Sequence, residues 1–176
     1  MSSVNTNLSP DKDGSYLINL LRKIVRYFRM SKLRLSTRFK LTYGNNANIS
    51  KRSEIYIPNN AKLGNNISIG SNFTSHVNFE IGDECLISSY VSFIGNDHDL
   101  IGGKSAYFSG RLPPSKIILE GDNFIGFGST ILGNITIGKG AIIGAQTLVN
   151  KDVPPNAIVV GIPGRIIKYR EKNNSI

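Results

Sequence analysis

Residues 57–81 read IPNNAKLGNNISIGSNFTSHVNFEI, and an apolar or small side chain recurs in them at every sixth position. The same ladder continues to residue 93 and resumes over residues 119–149. Its members are Ile57, Leu63, Ile69, Ser75, Ile81, Ile87, Phe93, Leu119, Ile125, Ile131, Ile137, Ile143 and Val149. A six-residue period fits neither an amphipathic helix nor an alternating strand. It indicates short strands separated by turns, with three flat faces in each coil of roughly 18 residues.

The ladder residues are expected to point inward and to stack on those of the neighbouring coils. Branched aliphatic side chains suit this position because they are stiff at χ1 and pack well on pleated surfaces. A glycine follows several ladder residues, and we expect it to relieve the backbone geometry of the turn. The pattern therefore predicts an all-β solenoid. An ordinary β-sandwich with glycine-rich turns is the alternative, but thirteen ladder positions in two registered blocks are hard to obtain by chance.

Length and composition restrict the class of protein. A chain of 176 residues is expected to form one domain with a small appendage. No apolar run is long enough to span a bilayer, and the N-terminus lacks the basic-then-apolar layout of a secretory signal. The single cysteine, Cys85, excludes an intramolecular disulfide and falls on an inward-facing position, where a buried thiol is expected to be unreactive. Together these features favour the cytoplasm.

The basic charge is concentrated near the N-terminus. The formal net charge is +9, and ten Lys or Arg but no acid lie between Gly14 and Ser53. The sequence SYLINLLRKIVRYFRM, residues 15–30, predicts a basic amphipathic helix with Ser15 as its N-cap. Such a helix could pack on the solenoid or on a neighbouring subunit, or lie on an anionic membrane surface, at the inner face of the membrane. Nucleic-acid binding is disfavoured because nothing nearby resembles a base-reading module.

The ladder breaks between Phe93 and Leu119, a step of 26 residues that is not a multiple of six. The chain must leave the coil and return, so we predict an excursion loop at about residues 95–116. Long loops in compact domains are usually functional or disordered, and this one mixes aromatic, acidic and basic side chains. His98 is a candidate general base, because histidine is the side chain that exchanges a proton most readily near neutral pH. Asp97 or Asp99 could orient its imidazole, as a carboxylate does in a catalytic triad.

Residues 125–168, IGFGSTILGNITIGKGAIIGAQTLVNKDVPPNAIVVGIPGRIIK, resemble the C-terminal half of the hexapeptide-repeat acyltransferases. The KDVPPNAIVVGIPGRIIK type of ending is specific to that superfamily, and the resemblance extends over roughly residues 55–168. It implies a left-handed parallel β-helix, a homotrimer and an acyl-CoA groove between adjacent subunits. The handedness rests on the resemblance alone, because it is an exception to the usual right-handed crossover.

Within this superfamily the chain is most similar to the sugar and polysaccharide O-acetyltransferases, which carry a histidine on a loop midway along the helix. FIGNDHDL, residues 93–100, matches that placement. The resemblance therefore implies that His98 is the base for acetyl transfer from acetyl-CoA to a hydroxyl of a saccharide, in a surface polysaccharide or its precursor. Where the family often has Trp before the coil restarts, this chain has Phe124, which can stack but has no indole N–H.

The resemblance also implies roles for other positions. An oxyanion donor is expected at the backbone of Gly126 or Phe127, because preorganised amides stabilise developing charge. Acyl-CoA is expected at Gly144, Ala145, Asn150, Lys151, Arg165 and Lys168. Contacts with the acceptor are expected from His76, Asn96, Tyr107, Arg111 and Phe124. Two alternatives stay open: His76 as a surface histidine without a role, and Arg111 as a residue that pins the loop. No metal is expected, because two histidines are too few for the three-histidine zinc sites of related solenoids.

The sequence thus predicts three segments. Residues 1–54 hold a disordered start, the basic helix and a connection that could include a first irregular coil around residues 41–49. Residues 55–168 form the β-helix acyltransferase domain, and residues 169–176 a basic tail. Three alternative functions stay open: N-acetylation of a nucleotide-linked amino sugar, O-acetylation of an antibiotic, and a solenoid scaffold without catalysis.

Overall fold

The computed structural model describes residues 16–95, 98–101, 103 and 105–171. These residues form helix α1 (Tyr16–Ser36) and a parallel β-solenoid of about six coils. Sheet A contains β1 (Leu41–Tyr43), β4 (Ala61–Leu63), β7 (Asn78–Ile81), β10 (Lys116–Leu119) and β13 (Ile135–Ile137). Sheet B contains β2 (Asn48–Ile49), β5 (Ser68–Ile69), β8 (Leu86–Ile87), β11 (Phe124–Ile125), β14 (Ile142–Ile143), β16 (Ala157–Val160) and β17 (Arg165–Tyr169). Sheet C contains β3 (Glu54–Ile55), β6 (Thr74–Ser75), β9 (Ser92–Ile94), β12 (Thr130–Leu132) and β15 (Leu148–Val149).

Each coil visits the sheets in the order A, B, C, so the solenoid has an A–B, a B–C and a C–A corner. Successive coils pair in parallel, and the pairs Ala61 with Phe79 and Ile117 with Ile135 both span 18 residues. Only β17 runs antiparallel to its neighbour among the described strands, returning along β16. The arrangement matches a left-handed β-helix, so the predicted fold, its helical extension and its excursion loop are confirmed.

The ladder residues fill the interior. Ile125, Ile131 and Ile143 are fully buried, and Cys85 is buried as predicted. Three phenylalanines, Phe73, Phe79 and Phe93, pack edge to face with ring centroids 5.1–6.3 Å apart. The polar ladder residue Ser75 also points into this interior, where its hydroxyl donates to Val77 O at 3.4 Å.

The corners correct our expectation about the glycines. The left-handed backbone conformation occurs three positions after a ladder residue, at Asn66, Asn72, Glu84, Tyr90, Asp122, Gly128, Asn134, Gly140 and Gln146, with φ between 49° and 75°. The glycine that directly follows a ladder residue is needed for close stacking instead. A Cβ on Gly70 would lie 2.4 Å from Ser89 N, and one on Gly126 would lie 2.5 Å from Ala145 N. Coil spacing, and not backbone freedom, therefore explains these glycines.

The N-terminal helix is longer than the predicted helix, residues 16–30, because residues 31–36 (SKLRLS) contain neither Gly nor Pro and continue the helix to Ser36. It ends where Arg38 and Phe39 adopt positive φ and the Phe39 amide donates to Arg34 O at 2.9 Å. The first coil starts directly afterwards, at Leu41 in β1, within the range expected for an irregular first coil. No helix in the described part of the chain is both long and apolar enough to cross a membrane.

Candidate active site

The excursion loop leaves sheet C after Ile94 and returns to sheet A at Lys116, so both of its ends lie at the C–A corner. Its base is tightly packed: a Cβ on Gly133 would lie 2.4 Å from Ser115 Cβ. Within the loop, His98 forms an antiparallel bridge with Arg111, and Asp99 N–H donates to Gly110 O at 3.3 Å. The loop therefore doubles back on itself and brings together two predicted site residues, His98 and Arg111.

The contact that orients the imidazole comes from a residue that the sequence did not indicate. Ser109 Oγ lies 3.4 Å from His98 Nδ1 and donates its hydrogen to Ala106 O at 2.9 Å. Because a hydroxyl has one hydrogen, its lone pair is left to accept from Nδ1–H. This tautomer, which we assign from the hydrogen bonds, leaves Nε2 of the exposed imidazole as the basic nitrogen.

The structure describes only one of the three predicted site residues Asn96, Asp97 and Asp99. Asp97 and Asn96 lie outside the described residues. Asp99 lies within them, and its backbone contact with Gly110 fixes the chain next to His98. The orienting role predicted for an aspartate remains a prediction, whereas the Nδ1 contact that the structure shows comes from Ser109.

His76 lies one coil away from the base of the loop. Its backbone N–H donates to Phe93 O at 3.0 Å, which places it beside the strand that leads into the loop. Its ring contacts Glu54, with Nε2 and Oε1 3.3 Å apart, and both side chains are exposed. A polar pair is therefore displayed on the outer side of sheet C at the loop's edge, where a contact with the acceptor stays a prediction.

The predicted oxyanion residues lie at a different corner, B–C. Gly126 N–H already donates to Ile143 O at 2.8 Å within sheet B. This leaves the amide of Phe127 as the predicted oxyanion donor. The Phe127 ring packs against Tyr90, with centroids 5.2 Å apart, and both rings are about half exposed. Tyr90 was not anticipated, because its position at this corner follows only from the stacking of coils.

The residues predicted to bind acyl-CoA are spread over the B–C corner, the C–A corner and strand β17. Gly144 and Ala145 lie at the B–C corner, where Gly144 stacks on Val160. Arg165 pairs with Val160, so it lies at the same corner at the exposed start of β17. The remaining predicted residues are exposed elsewhere: Lys168 further along β17, and Asn150 and Lys151 at the C–A corner after β15.

The aromatic residues predicted to contact the acceptor are also apart. Tyr107 lies in a short 3₁₀ turn of the loop, Ala106–Phe108, and packs edge to face on Phe108 with centroids 4.9 Å apart. Phe124 lies on the outer side of sheet B, in β11. The chain therefore places Tyr107 on the loop with His98, and Phe124 on another face.

Metal chemistry and thiol chemistry have no support in the described part of the chain. No three His, Cys, Asp or Glu side chains there are close enough to hold a metal ion. Burial raises the pKa of the Cys85 thiol to about 11, so it is protonated at neutral pH and a poor nucleophile. Cys85 Sγ instead contacts Asn123 Oδ1 at 3.7 Å inside the solenoid.

Comparison with curated proteins finds acetyltransferases with unlike acceptors. The chain is 43% identical over 93 residues to a serine acetyltransferase of Bacillus pumilus, which covers 53% of the chain and 37% of the relative. It is 35% identical over 112 residues to a chloramphenicol acetyltransferase of Agrobacterium fabrum, covering 54% of each. It is 29% identical over 130 residues to a galactoside O-acetyltransferase of Escherichia coli, covering 69% of the chain and 63% of the relative. The chain thus spans less than two thirds of each of these relatives, and no protein-family model matches it.

Solved structures share the architecture. A variant of AntD, an N-acyltransferase from Bacillus cereus in complex with dTDP and coenzyme A, superposes with a TM-score of 0.62 at 25% identity and covers 73% of this chain and 84% of its own. Galactoside acetyltransferase in complex with coenzyme A superposes with a TM-score of 0.68 over 90% of this chain and 73% of its own, and at 24% identity it supports the fold alone. The six-residue ladder, the coils it builds and these similarities agree. The chain is therefore similar, in sequence and in architecture, to the hexapeptide-repeat acyltransferases.

Proposed function

We propose that the protein transfers an acetyl group from acetyl-CoA to a hydroxyl of a saccharide, with His98 as the general base. The observation that carries this proposal is the imidazole on the excursion loop, with Nδ1 next to Ser109 and Nε2 left to accept a proton. Similarity to a galactoside O-acetyltransferase supports the acceptor class. Similarity to AntD, whose structure contains coenzyme A, supports the donor.

The proposed chemistry needs three actions from the chain. Acetyl-CoA supplies the acetyl group as a thioester. His98 Nε2 takes the proton of the acceptor hydroxyl as its oxygen attacks the acyl carbon, and the imidazolium returns a proton to the leaving sulfur. The Phe127 amide stabilises the charge that develops on the acyl oxygen. Ser109 acts on the imidazole alone, holding the tautomer in which Nε2 is basic.

The predicted binding residues of the chain fit coenzyme A, which is a phosphorylated nucleotide with a long amide arm. Arg165 and Lys168 are exposed on β17, and Lys151 is exposed at the C–A corner. Guanidinium and ammonium groups bind phosphate by charge-assisted hydrogen bonds, and Arg can do so in a bidentate way. These residues are proposed to hold the phosphates, with Asn150 and the backbone at Gly144 and Ala145 along the arm.

A complete site is proposed to require two subunits of a homotrimer. The loop with His98 starts from the C–A corner, whereas Phe127 and Arg165 lie at the B–C corner. Sheet C separates these corners by about six residues of extended chain, which span at most roughly 20 Å. If neighbouring subunits place one corner of each kind together, the loop of one subunit meets Phe127 and Arg165 of the next.

The first test replaces His98 and measures turnover and binding separately. His98→Ala is expected to lower kcat by about 10²–10⁴, the usual contribution of a general base, while coenzyme A binds as in the wild type. Calorimetry measures coenzyme A binding, and thiol release from acetyl-CoA measures turnover. Unchanged turnover in this variant would remove His98 from its role, and failure of the wild-type protein to bind coenzyme A would favour a scaffold without catalysis.

The two-subunit site has its own test. His98→Ala and Arg165→Ala damage different corners, so each homotrimer is expected to be impaired at all sites. After the two variants are mixed under conditions that exchange subunits, some interfaces combine an intact loop with an intact acyl-CoA corner. Activity is then expected to rise well above that of either variant. If mixed trimers form but activity stays at the level of the single variants, each site lies within one chain.

A second acceptor class has a specific observation in its favour. AntD is an N-acyltransferase whose structure contains dTDP, and it is similar to this chain over most of both sequences. The cationic Arg111 beside His98 would suit an acceptor with a phosphate or carboxylate group. Thiol release with oligosaccharides, nucleotide-linked amino sugars and chloramphenicol as acceptors separates the saccharide hydroxyl from the amine and the antibiotic. Arg111→Ala should raise KM most for an anionic acceptor.

A further inference from the structure

Helix α1 turns its polar side toward its own solenoid. Arg26 Nη1 donates to Asn46 Oδ1 at 2.6 Å, and Arg29 Nη1 donates to Asn48 Oδ1 at 3.3 Å. Among the apolar residues of this helix whose side chains are described, Met30 is buried and the partly buried Leu33 packs against the core, whereas the others are exposed. A surface helix of a globular protein ordinarily does the reverse and buries its apolar stripe. The apolar face of α1 therefore serves something other than the fold of this chain.

That apolar face is continuous and exposed. Its members recur at helical spacing along the outward side: Leu17, Leu20, Leu21, Ile24, Phe28 and Leu35. Their exposed fractions range from 42% to 66%. Tyr27 packs edge to face on Phe28, with ring centroids 5.8 Å apart, so an aromatic pair lies at the edge of the stripe. A continuous row of six exposed apolar side chains on one helix marks an interaction site.

Charge distinguishes between possible partners. The segment between Gly14 and Ser53 contains ten Lys or Arg and no acid, whereas the rest of the chain carries eleven basic and twelve acidic residues, from totals of 21 and 12. Lys23, Lys32 and Arg34 are exposed on α1 itself. A second copy of α1 would bring the same positive charge, whereas a surface of anionic phospholipid supplies the opposite charge over the whole helix.

A groove beside the apolar face is lined by both apolar and cationic side chains. It has a volume of about 410 Å³ and lies between α1 and Asn48 of β2. Ile18, Leu21 and Val25 line it together with Arg22, Arg26 and Arg29. Apolar side chains next to guanidinium groups suit the boundary between acyl chains and phosphate headgroups, where Arg keeps its charged end in the polar layer.

We infer that α1 binds peripherally to a membrane surface rich in anionic phospholipid. The helix lies in the plane of the surface, with the stripe from Leu17 to Leu35 among the acyl chains and the solenoid on the aqueous side. Lys23, Lys32 and Arg34 contact the headgroups. This inference concerns α1 alone and does not depend on the proposed acetyl transfer.

The test is sedimentation of the full-length protein with phospholipid vesicles. The wild-type protein is expected to bind vesicles of mixed phosphatidylglycerol and phosphatidylcholine, but not vesicles of phosphatidylcholine alone. The double variant Ile24→Glu/Phe28→Glu should bind at least about a hundredfold more weakly, because two apolar side chains no longer enter the acyl layer. Lys23→Gln and Lys32→Gln should each weaken binding about fivefold, and added salt should do the same.

The matched control is Ile101→Glu/Leu112→Glu, which places two acids on apolar residues of the excursion loop that are 96% and 47% exposed. It should bind vesicles like the wild type, and circular dichroism should show that both double variants keep the wild-type Tm. Absence of binding to anionic vesicles, or equal binding by the α1 variant, would overturn the inference. Light scattering gives a further result that would overturn the inference. If the α1 variant dissociates into smaller species and the wild type does not bind vesicles, α1 is a subunit interface.

Discussion

Replacing Asn123 with Leu tests how the coils are held together at the A–B corner. Asn123 is 2% exposed and reaches across two coils. Its Oδ1 accepts from Gly121 N–H at 3.0 Å, and its Nδ2 donates to Gly138 O at 2.8 Å and to Ala141 O at 3.3 Å. Leu has nearly the same size and shape, so the substitution removes these hydrogen bonds without opening a large cavity.

The expected loss in the free energy of unfolding depends on which of these groups keep another hydrogen-bond partner in the variant. Gly138 O also accepts from Ala141 N–H at 3.1 Å, and Ala141 O from Phe124 N–H at 3.2 Å, so both carbonyls stay paired. The Asn123 side chain is the only acceptor that the structure gives for Gly121 N–H within the described residues. An orphaned buried donor costs about 1–3 kcal/mol, and each lost bond to a carbonyl that keeps a partner costs at the lower end of about 0.5–1.5 kcal/mol. We expect the free energy of unfolding to fall by about 2–4 kcal/mol.

The assay is urea unfolding followed by circular dichroism, with Asn150→Leu as the matched control. Asn150 is exposed, so the same substitution there should change the free energy of unfolding by no more than about 0.5 kcal/mol. A loss below about 1 kcal/mol in Asn123→Leu would refute the reasoning, because it would mean that Gly121 N–H finds water or another acceptor. Equal losses in the two variants would show that the added Leu, and not the lost hydrogen bonds, destabilises the protein.

Three further predictions concern single side chains. Burial raises the pKa of Cys85 from 9.0 to about 11, so folding favours the neutral thiol. The free energy of unfolding should therefore fall as pH rises from 9 to 11. Urea unfolding at each pH measures this fall, and Cys85→Ala should reduce it. Thr147 Oγ1 is buried and has no hydrogen-bond partner among the described residues, so Thr147→Val should raise stability by about 1 kcal/mol, and a decrease in Tm would contradict this. Ser109→Ala should lower kcat about tenfold and shift the pH profile of kcat, whereas Ser109→Thr should retain both, because its hydroxyl can still accept from His98 Nδ1.

The fold could be predicted because one period determines it. A ladder every six residues requires three short strands per coil, and the observed spacing from Ala61 to Phe79 follows directly from three such steps. The break after Phe93 equally predicted where the chain leaves the coil. The handedness could not come from this period, since inward-facing side chains every sixth residue are compatible with a coil of either hand.

Features that depend on neighbouring coils could not be predicted from the period. Gly70 must be small because Ser89 of the next coil lies against it, and Asn123 is buried because it bonds to the following coil. Both contacts join residues at least 15 positions apart, so they depend on the stacking of coils and not on local sequence. For the same reason the sequence pattern alone suggests a role in backbone conformation for these glycines, and not a role in close packing.

The orientation of helix α1 on the solenoid likewise could not be predicted from the sequence. The spacing of apolar residues correctly predicted an amphipathic helix, but a hydrophobic pattern defines two faces without saying which one meets the solenoid. Here Arg26 and Arg29 are positioned to reach the amide side chains of Asn46 and Asn48 at the first coils. These contacts turn the apolar face outward. Only the position of α1 relative to the solenoid could reveal this.

The candidate site combines both situations: the sequence indicates His98 as a candidate base, but it does not indicate the residues that surround His98. His98 was found because it lies in the break of the ladder. Ser109 was missed because its contact depends on the loop pairing residue 98 with Arg111. The period that builds the solenoid also places Phe127 and Arg165 at the B–C corner and the loop with His98 at the C–A corner, so a whole face separates them. Proton transfer requires groups within about 3 Å, so a chain of this design gains a complete site most directly by placing unlike corners of two subunits together. The oligomer is then proposed to be part of the catalytic machinery, and its dissociation should abolish turnover without unfolding any subunit.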